Sequence, residues 1–310
     1  MERVIITGAT SMIGVALIKE CIKQKTYVAA VIRPDSVNRH RIPNSDLIQI
    51  VECDSSDIAQ LSQRVSGAYD CFFHLAWDGT TRALRNDVFI HEENIKHTLM
   101  AVEEADKLGC SCFVGTGSQA EYGRVSDVIS PDTVTNPEYA YGIAKLAAGK
   151  LSQQHCLKLG LRFVWARIFS IYGEYDNSGT MIMYLINTLL DKQKPKLTNC
   201  EQLWDYLYCG DAARALYLAG ETGNGYYCIG SGTMRPLLEY VTIIKNAIDE
   251  NLPLGIGEMP YAPQQVMRLC ADISSLQNDT GFIQETDFAT GIKNTVEWIR
   301  EGRKVENEKN

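Results

Sequence analysis

Over its first 170 residues the chain alternates short apolar runs with longer stretches whose apolar positions recur at helical spacing. Residues 4–7, 27–32, 47–52, 71–75, 112–115 and 161–166 are rich in β-branched and aromatic side chains and read as strands. Between them, 13–24, 57–64, 91–108 and 139–159 carry the three-to-four-residue period of helices. Strand and helix in alternation predict a parallel sheet covered on both faces, an α/β doubly wound fold. After Gly173 the rhythm breaks into a polar loop at 174–179, a helix over about 180–190 stopped by Pro195, a strand at 226–229 and a helix from 237 to about 250. We therefore expect a dinucleotide-binding (Rossmann) part over 1–173. A smaller, mixed substrate-binding part is expected over 174–310, with 205–230 returning to the first. The charged tail, 301–310, is expected to fray.

Composition narrows the partners. The chain has 310 residues, 45% of them hydrophobic, and a formal net charge of −8. A net negative surface repels nucleic acid and anionic membranes. No apolar run reaches the roughly 20 residues of a membrane helix, and Met1-Glu2-Arg3 leads straight into the first strand, so a cytoplasmic location is expected. The 10 cysteines are scattered, without a paired C-x-x-C, and read as core residues; no metal site is expected.

The stretch VIITGATSMIG, residues 4–14, runs from strand to helix, the context in which a glycine-rich loop binds a dinucleotide. Gly8 allows the tight turn, Gly14 lets the helix pack on its strand, and the helix N-terminus offers N–H groups to a pyrophosphate. Ser11 stands where the middle glycine is usual; it is small, and its hydroxyl can donate to a phosphate oxygen. By themselves these residues also fit an ordinary βα turn. The second strand ends in Arg33, with Asp35, Arg39 and Arg41 beyond it. Arginine matches a 2′-phosphate, so NADP(H) is favoured, with NAD(H) the alternative through Asp35.

Candidate chemistry lies in YGIAK, where Tyr141 and Lys145 share one helix face. A neighbouring ammonium favours phenolate, which makes a tyrosine useful as acid and base for an alcohol or ketone. Ser118, in GTGSQAEYG at a strand's carboxyl end, is placed to hold a carbonyl oxygen.

These stretches, in order with CDSSD, FFHLAW, EENIKHT, RIFSIYG, DYLYCGDAARAL, YYCIGSG and ADISSLQNDTGF, resemble the extended short-chain dehydrogenases/reductases of the NAD-dependent epimerase/dehydratase type. Most members of that type act on nucleotide-linked sugars. The resemblance implies Ser118, Tyr141 and Lys145 as catalytic residues with Asn94 supporting them. It implies a cofactor lined by Gly8, Thr10, Ser11, Met12, Ile13, Gly14, Arg33, Asp54, Leu75, Ala76 and Trp77, together with Tyr141 and Lys145. In sugar 4,6-dehydratases acidic residues follow the triad's hydroxyl residue; here Gln119 and Ala120 stand there, and Glu121 is one place too far along, which argues against dehydration. Two arginines usual for a diphosphate are replaced by Trp204 and Tyr261, and the usual asparagine of RxFN is Ser170; Arg235, Arg268 or Lys196 would have to compensate. Trp77 and Gln119 complete the expected substrate contacts, with a core indole as the alternative for Trp77. Three readings follow: an NADPH-dependent 4-ketoreductase of a nucleotide-linked deoxy sugar, which leads; a nucleotide-sugar 4-epimerase with tightly held NAD; and a non-catalytic NADP-binding sensor. The resemblance also implies a homodimer through the helices at 91–108 and 139–159.

Overall fold

The computed structural model describes residues 1–81 and 83–309. Seven strands form the main sheet: β1 (Arg3–Thr7), β2 (Tyr27–Ile32), β3 (Ile48–Glu52), β4 (Cys71–His74), β5 (Cys112–Ser118), β6 (Arg162–Ile168) and β10 (Gly225–Ile229). Their order is β10-β6-β5-β4-β1-β2-β3, and every neighbouring pair is parallel. The strands are short and apolar because both faces are covered. One face carries α1 (Met12–Lys23) and α5 (Cys209–Thr222), whose Leu17, Cys21, Ala212 and Leu216 join the strand residues Val4, Ile6, Phe73 and Val114 in one core. The other carries α2 (Val88–Lys107) and α3 (Ala140–Leu159), with Ala101, Val102, Ala148 and Cys156 packed on Phe72, Phe113 and Trp165.

Expected strand and helix positions fall on these elements, with local differences. Strand β5 runs on to Ser118, three residues past the expected end, because it stays paired with β6 through Ile168. Residues 55–63 form 3-10 turns rather than an α-helix: Asp54 caps them, and only Ile58 and Leu61 are buried there, too few to hold a full apolar stripe. Strand β10 lies at the sheet edge beside β6, so the stretch 209–229 is built into the main sheet.

A third core, from Tyr172, Ile182, Leu185, Ile186, Val241, Ile244, Ile292 and Val296, joins α4 (Met181–Leu190), α6 (Leu237–Ile248) and α8 (Phe288–Lys309). The short strands β8 (Leu203–Trp204), β11 (Arg235–Pro236) and β12 (Arg268–Leu269) form a small mixed sheet, while β7 (Ser170–Tyr172) pairs with β9 (Tyr206–Tyr208). Helix α7 (Ser274–Thr280) packs against α5. The tail differs from expectation: α8 continues to Lys309, and Arg303 ties it down, donating to Asp191 at 2.6 Å and to the Asn187 side chain at 2.9 Å. Asn310 lies outside the described residues.

The approach of α3 to the sheet depends on missing side chains. The Trp165 indole lies against Gly115 and Gly117 of β5, and a Cβ on Gly149 of α3 would come 2.7 Å from it. An alanine in a helix ordinarily stabilises by about 1 kcal/mol over glycine. At Gly149 the sign should reverse, with Gly149→Ala losing about 1–3 kcal/mol through overpacking. Urea denaturation checks this; an unchanged or raised midpoint would refute the packing argument.

Candidate active site

Four strand ends and the loops after them shape a cleft of about 750 Å³, lined by Thr7 and Gly8 at the end of β1, Ile32 and Arg33 at β2, Cys53 and Ser55 after β3, and His74 to Asp78 at β4. It lies outside the carboxyl ends of the strands, beside the point where the order reverses between β1 and β4, the usual ligand crevice of an open α/β sheet. Gly8 has φ +66°, and a Cβ there would sit 2.8 Å from the Ala76 amide, so the turn between β1 and α1 admits only glycine. A Cβ on Gly14 would collide with the Gly8 carbonyl; Gly14 serves the packing of helix on turn, and neither it nor Ile13 lines the cleft. Ser11 is the N-cap of α1, its oxygen accepting from the Gly14 amide at 3.0 Å, which leaves the hydroxyl hydrogen free to donate. Thr10, Ser11 and Met12 face the cleft at the positive end of α1. This cradle fits a dinucleotide.

At the β2 end, Arg33 is exposed and stands 4.0 Å from Asp78 across the cleft. Arg41 donates to the Thr10 carbonyl at 3.3 Å and stacks over Tyr175 with its guanidinium carbon 4.9 Å from the ring centre. Asp35 is not among the lining residues, and the Asp54 carboxylate is turned to the Ser56 amide and hydroxyl, each at 3.0 Å, so neither faces the cleft. Cys53 and Ser55 line it instead, beside His97 and the segment from Tyr175 to Ser178.

Ser118, Tyr141 and Lys145 are not among the residues lining the cleft, although Tyr141 and Lys145 are expected there; Trp77, which lines it, touches Lys145 and Tyr141. The Lys145 ammonium sits 3.7 Å from the Trp77 ring centre and 6.0 Å from that of Tyr141, and donates to the Thr116 carbonyl at 2.7 Å. Burial pushes Lys145 down to about 7, against the opposing pull of Glu121. Burial also holds Tyr141 above its ordinary range, partly offset by a hydrogen bond from Ser118 and by the charge of Arg85. Trp77 meets Tyr141 edge-on at 6.3 Å, and its indole N–H is buried without a partner. Asn94 does not touch these groups: its amide donates to the Asp78 carbonyl and accepts from the Asp78 amide, both at 2.9 Å, fixing the segment that carries Trp77.

The model of the NAD dependent epimerase/dehydratase family matches residues 4–230. The chain belongs to that family. A dTDP-glucose 4,6-dehydratase of Escherichia coli is 25% identical, the alignment covering 96% of this chain and 93% of that protein. A putative UDP-glucose 4-epimerase of Methanocaldococcus jannaschii is 24% identical over 97% of this chain and all (100%) of its own length. Among solved structures, UDP-N-acetylglucosamine 4-epimerase from Methanobrevibacter ruminantium superposes with a TM-score of 0.87 at 20% identity, covering 97% of this chain and 99% of its own. UDP-glucuronic acid 4-epimerase from Bacillus cereus, in complex with NAD, gives 0.83 at 19% identity, covering 97% and 98%. These likenesses show the fold, a doubly wound sheet with a mixed smaller part.

In this member of the epimerase/dehydratase family the expected substrate residues do not form one cluster. Trp204 donates its indole N–H to Ser170 at 2.8 Å, and with Gln202 and Tyr206 it lines a second, largely apolar cleft of about 570 Å³ that includes Lys196. Arg235, exposed, borders a separate hollow with Asp287 and Glu285, and Arg268 donates to the Met234 sulfur, so neither guanidinium faces the cleft holding Lys196. Tyr261 is hydrogen-bonded to Glu201 at 3.1 Å. Gln119 opens the short turn after Ser118.

Glu121 is the family site's buried anchor. Its carboxylate accepts from the Ser118 amide at 2.9 Å, the Trp165 indole at 3.0 Å and Arg167 at 2.7 Å. Arg167 in turn donates to the Tyr122 hydroxyl and the Pro131 carbonyl. Glu121→Gln leaves the guanidinium buried without its anion and should cost about 3–5 kcal/mol. Chemical denaturation measures this; a loss below about 1 kcal/mol would show the pair to be dispensable.

Proposed function

We propose that the chain is an NADPH-dependent 4-ketoreductase acting on a nucleotide-linked deoxy sugar. The observation that carries the reading is the pair of guanidiniums, Arg33 and Arg41, at the ribose end of the cleft, where β2 presents no carboxylate. A 2′-phosphate there meets two planar, permanently charged donors. The carbon chemistry follows from family and geometry together. When bound, the reduced nicotinamide supplies the hydride to the carbonyl carbon. Tyr141 gives its phenolic proton to the carbonyl oxygen, Ser118 donates a hydrogen bond to that same oxygen, and Lys145 holds the ribose near the reacting carbon. Trp77 walls the sugar side.

Dehydration is disfavoured in this reading, although relatives carry that name, because Gln119 and Ala120 have no acid group and the Glu121 carboxylate is already occupied by Ser118, Trp165 and Arg167. Conversion of a nucleotide-linked glucose to its 4-keto-6-deoxy product would overturn it. A second reading, a 4-epimerase holding NAD, draws on Asp78, whose carboxylate faces Arg33 and competes with a phosphate for it. Solved relatives are named as epimerases and one is bound to NAD. We also propose a homodimer through α2 and α3, which leave Phe89, Ile143, Leu151 and Leu157 exposed.

Calorimetric titration with NADP+ and NAD+ tests the cofactor. NADP+ should bind tighter, and Arg33→Ala should weaken it by about 10- to 100-fold while leaving NAD+ nearly unchanged. Copurifying NAD, or a preference for NAD+ that Arg33→Ala leaves intact, would bring the epimerase forward. Tyr141→Phe should lower turnover by roughly 10²- to 10⁴-fold with cofactor affinity retained. Full turnover would remove Tyr141 from the chemistry, and a protein silent on every 4-ketosugar while Tyr141→Phe keeps a binding partner would point to a sensor. The raised phenol sets the pH dependence. Ketone reduction uses the protonated phenol and should fall only as Lys145, brought down to about 7, loses its charge, whereas alcohol oxidation uses the phenolate and should rise with pH, as initial rates in both directions would show.

A further inference from the structure

The loop between β4 and α2 carries a second cation to the catalytic tyrosine. The Arg85 guanidinium lies over the Tyr141 ring, 5.0 Å from its centre. This placement is fixed by backbone: the Arg85 carbonyl receives the Tyr141 amide at 3.0 Å and faces the His91 Nε2 at 3.2 Å. His91, buried and held below its ordinary range by desolvation, meets the same ring edge-on at 5.7 Å. Lys145, by contrast, rests on Trp77 and Thr116 rather than on the phenol.

We propose that Arg85 is a positioning residue for the acid–base step: its guanidinium, held over the Tyr141 ring by the loop, stabilises the phenolate. This deepens the oxidoreductase reading and rests on Tyr141 being the proton carrier. The charged and titratable groups around the ring are Arg85 from the loop, His91 from α2, Lys145 from α3 itself, and Ser118 and Glu121 at the end of β5. Of the two cations, Lys145 is brought down to about 7 by burial, whereas Arg85 stands exposed at the ring. Its exposed position lets substrate and solvent reach it, and lets it be changed without opening the core.

The test uses the full chain labelled with ring-13C tyrosine, the Tyr141 signal being assigned by its loss in Tyr141→Phe. The shift is followed against pH in parent, Arg85→Leu and Arg85→Lys, together with the pH profile of kcat/KM for alcohol oxidation. Removing a charge about 5 Å away through a partly watery path should raise the Tyr141 midpoint and the alkaline limb of the rate by about 0.5–2 pH units, with Arg85→Lys moving it less. An unmoved midpoint in a folded Arg85→Leu protein overturns the proposal, and so does lost turnover with an unmoved profile, which would make Arg85 a substrate contact or a structural residue. The titration needs no substrate, so it can fail or succeed separately from the ketoreductase reading, whose own failure is full activity in Tyr141→Phe.

Discussion

A single carboxylate in the dark interior of the protein organises the catalytic end of the sheet. Glu121 is fully buried, and a buried charge survives only where partners replace the water it has lost. It gathers the Ser118 amide, the Trp165 indole and the Arg167 guanidinium, and so joins three layers: the turn that presents the serine, the strand β6 behind it, and the helix α3 that rides on Trp165. The turn that carries Ser118 is thereby fixed to β6 through Trp165 and Arg167. The oxygens of Glu121 are engaged by three donors, from the turn and from β6.

Around that anchor the open cleft and the buried Tyr141 and Lys145 occupy separate places. Trp77 lines the cleft and also touches Lys145, and burial disfavours charge on both Tyr141 and Lys145. Neutral phenol is the form that reduction of a ketone needs. The cations that approach the ring, one on a helix and one on a loop, are placed by different parts of the chain, which lets their strengths be set separately.

What the sequence made legible were features with local causes. Gly8 and Gly14, the end of β2 at Arg33, and Tyr141 with Lys145 one turn apart each follow from neighbouring residues alone, and so does the alternation that yields the doubly wound sheet. Less legible were roles decided by distant packing. The Asp54 carboxylate is turned to Ser56 because it caps the 3-10 turns, Asn94 serves Asp78, and Trp204 is bonded to Ser170 of another strand. Tyr175 to Ser178 carry no motif, and they reach the cleft only because the chain doubles back over it between β7 and α4. The helical tail was hidden for the same reason, since Arg303 finds its partners on α4.

The stacking of Arg41 on Tyr175 gives the cleft a latch. One guanidinium is bonded to the glycine-rich turn and lies on a ring from the loop that leads into the smaller part of the fold, so the two sides of the cofactor groove are stitched across its mouth. A dinucleotide bound in this cleft would lie beside that contact, with its phosphates within the field of the same arginine. Loosening either partner would free the loop from the turn, so the shape of the groove is tied to the smaller part of the fold.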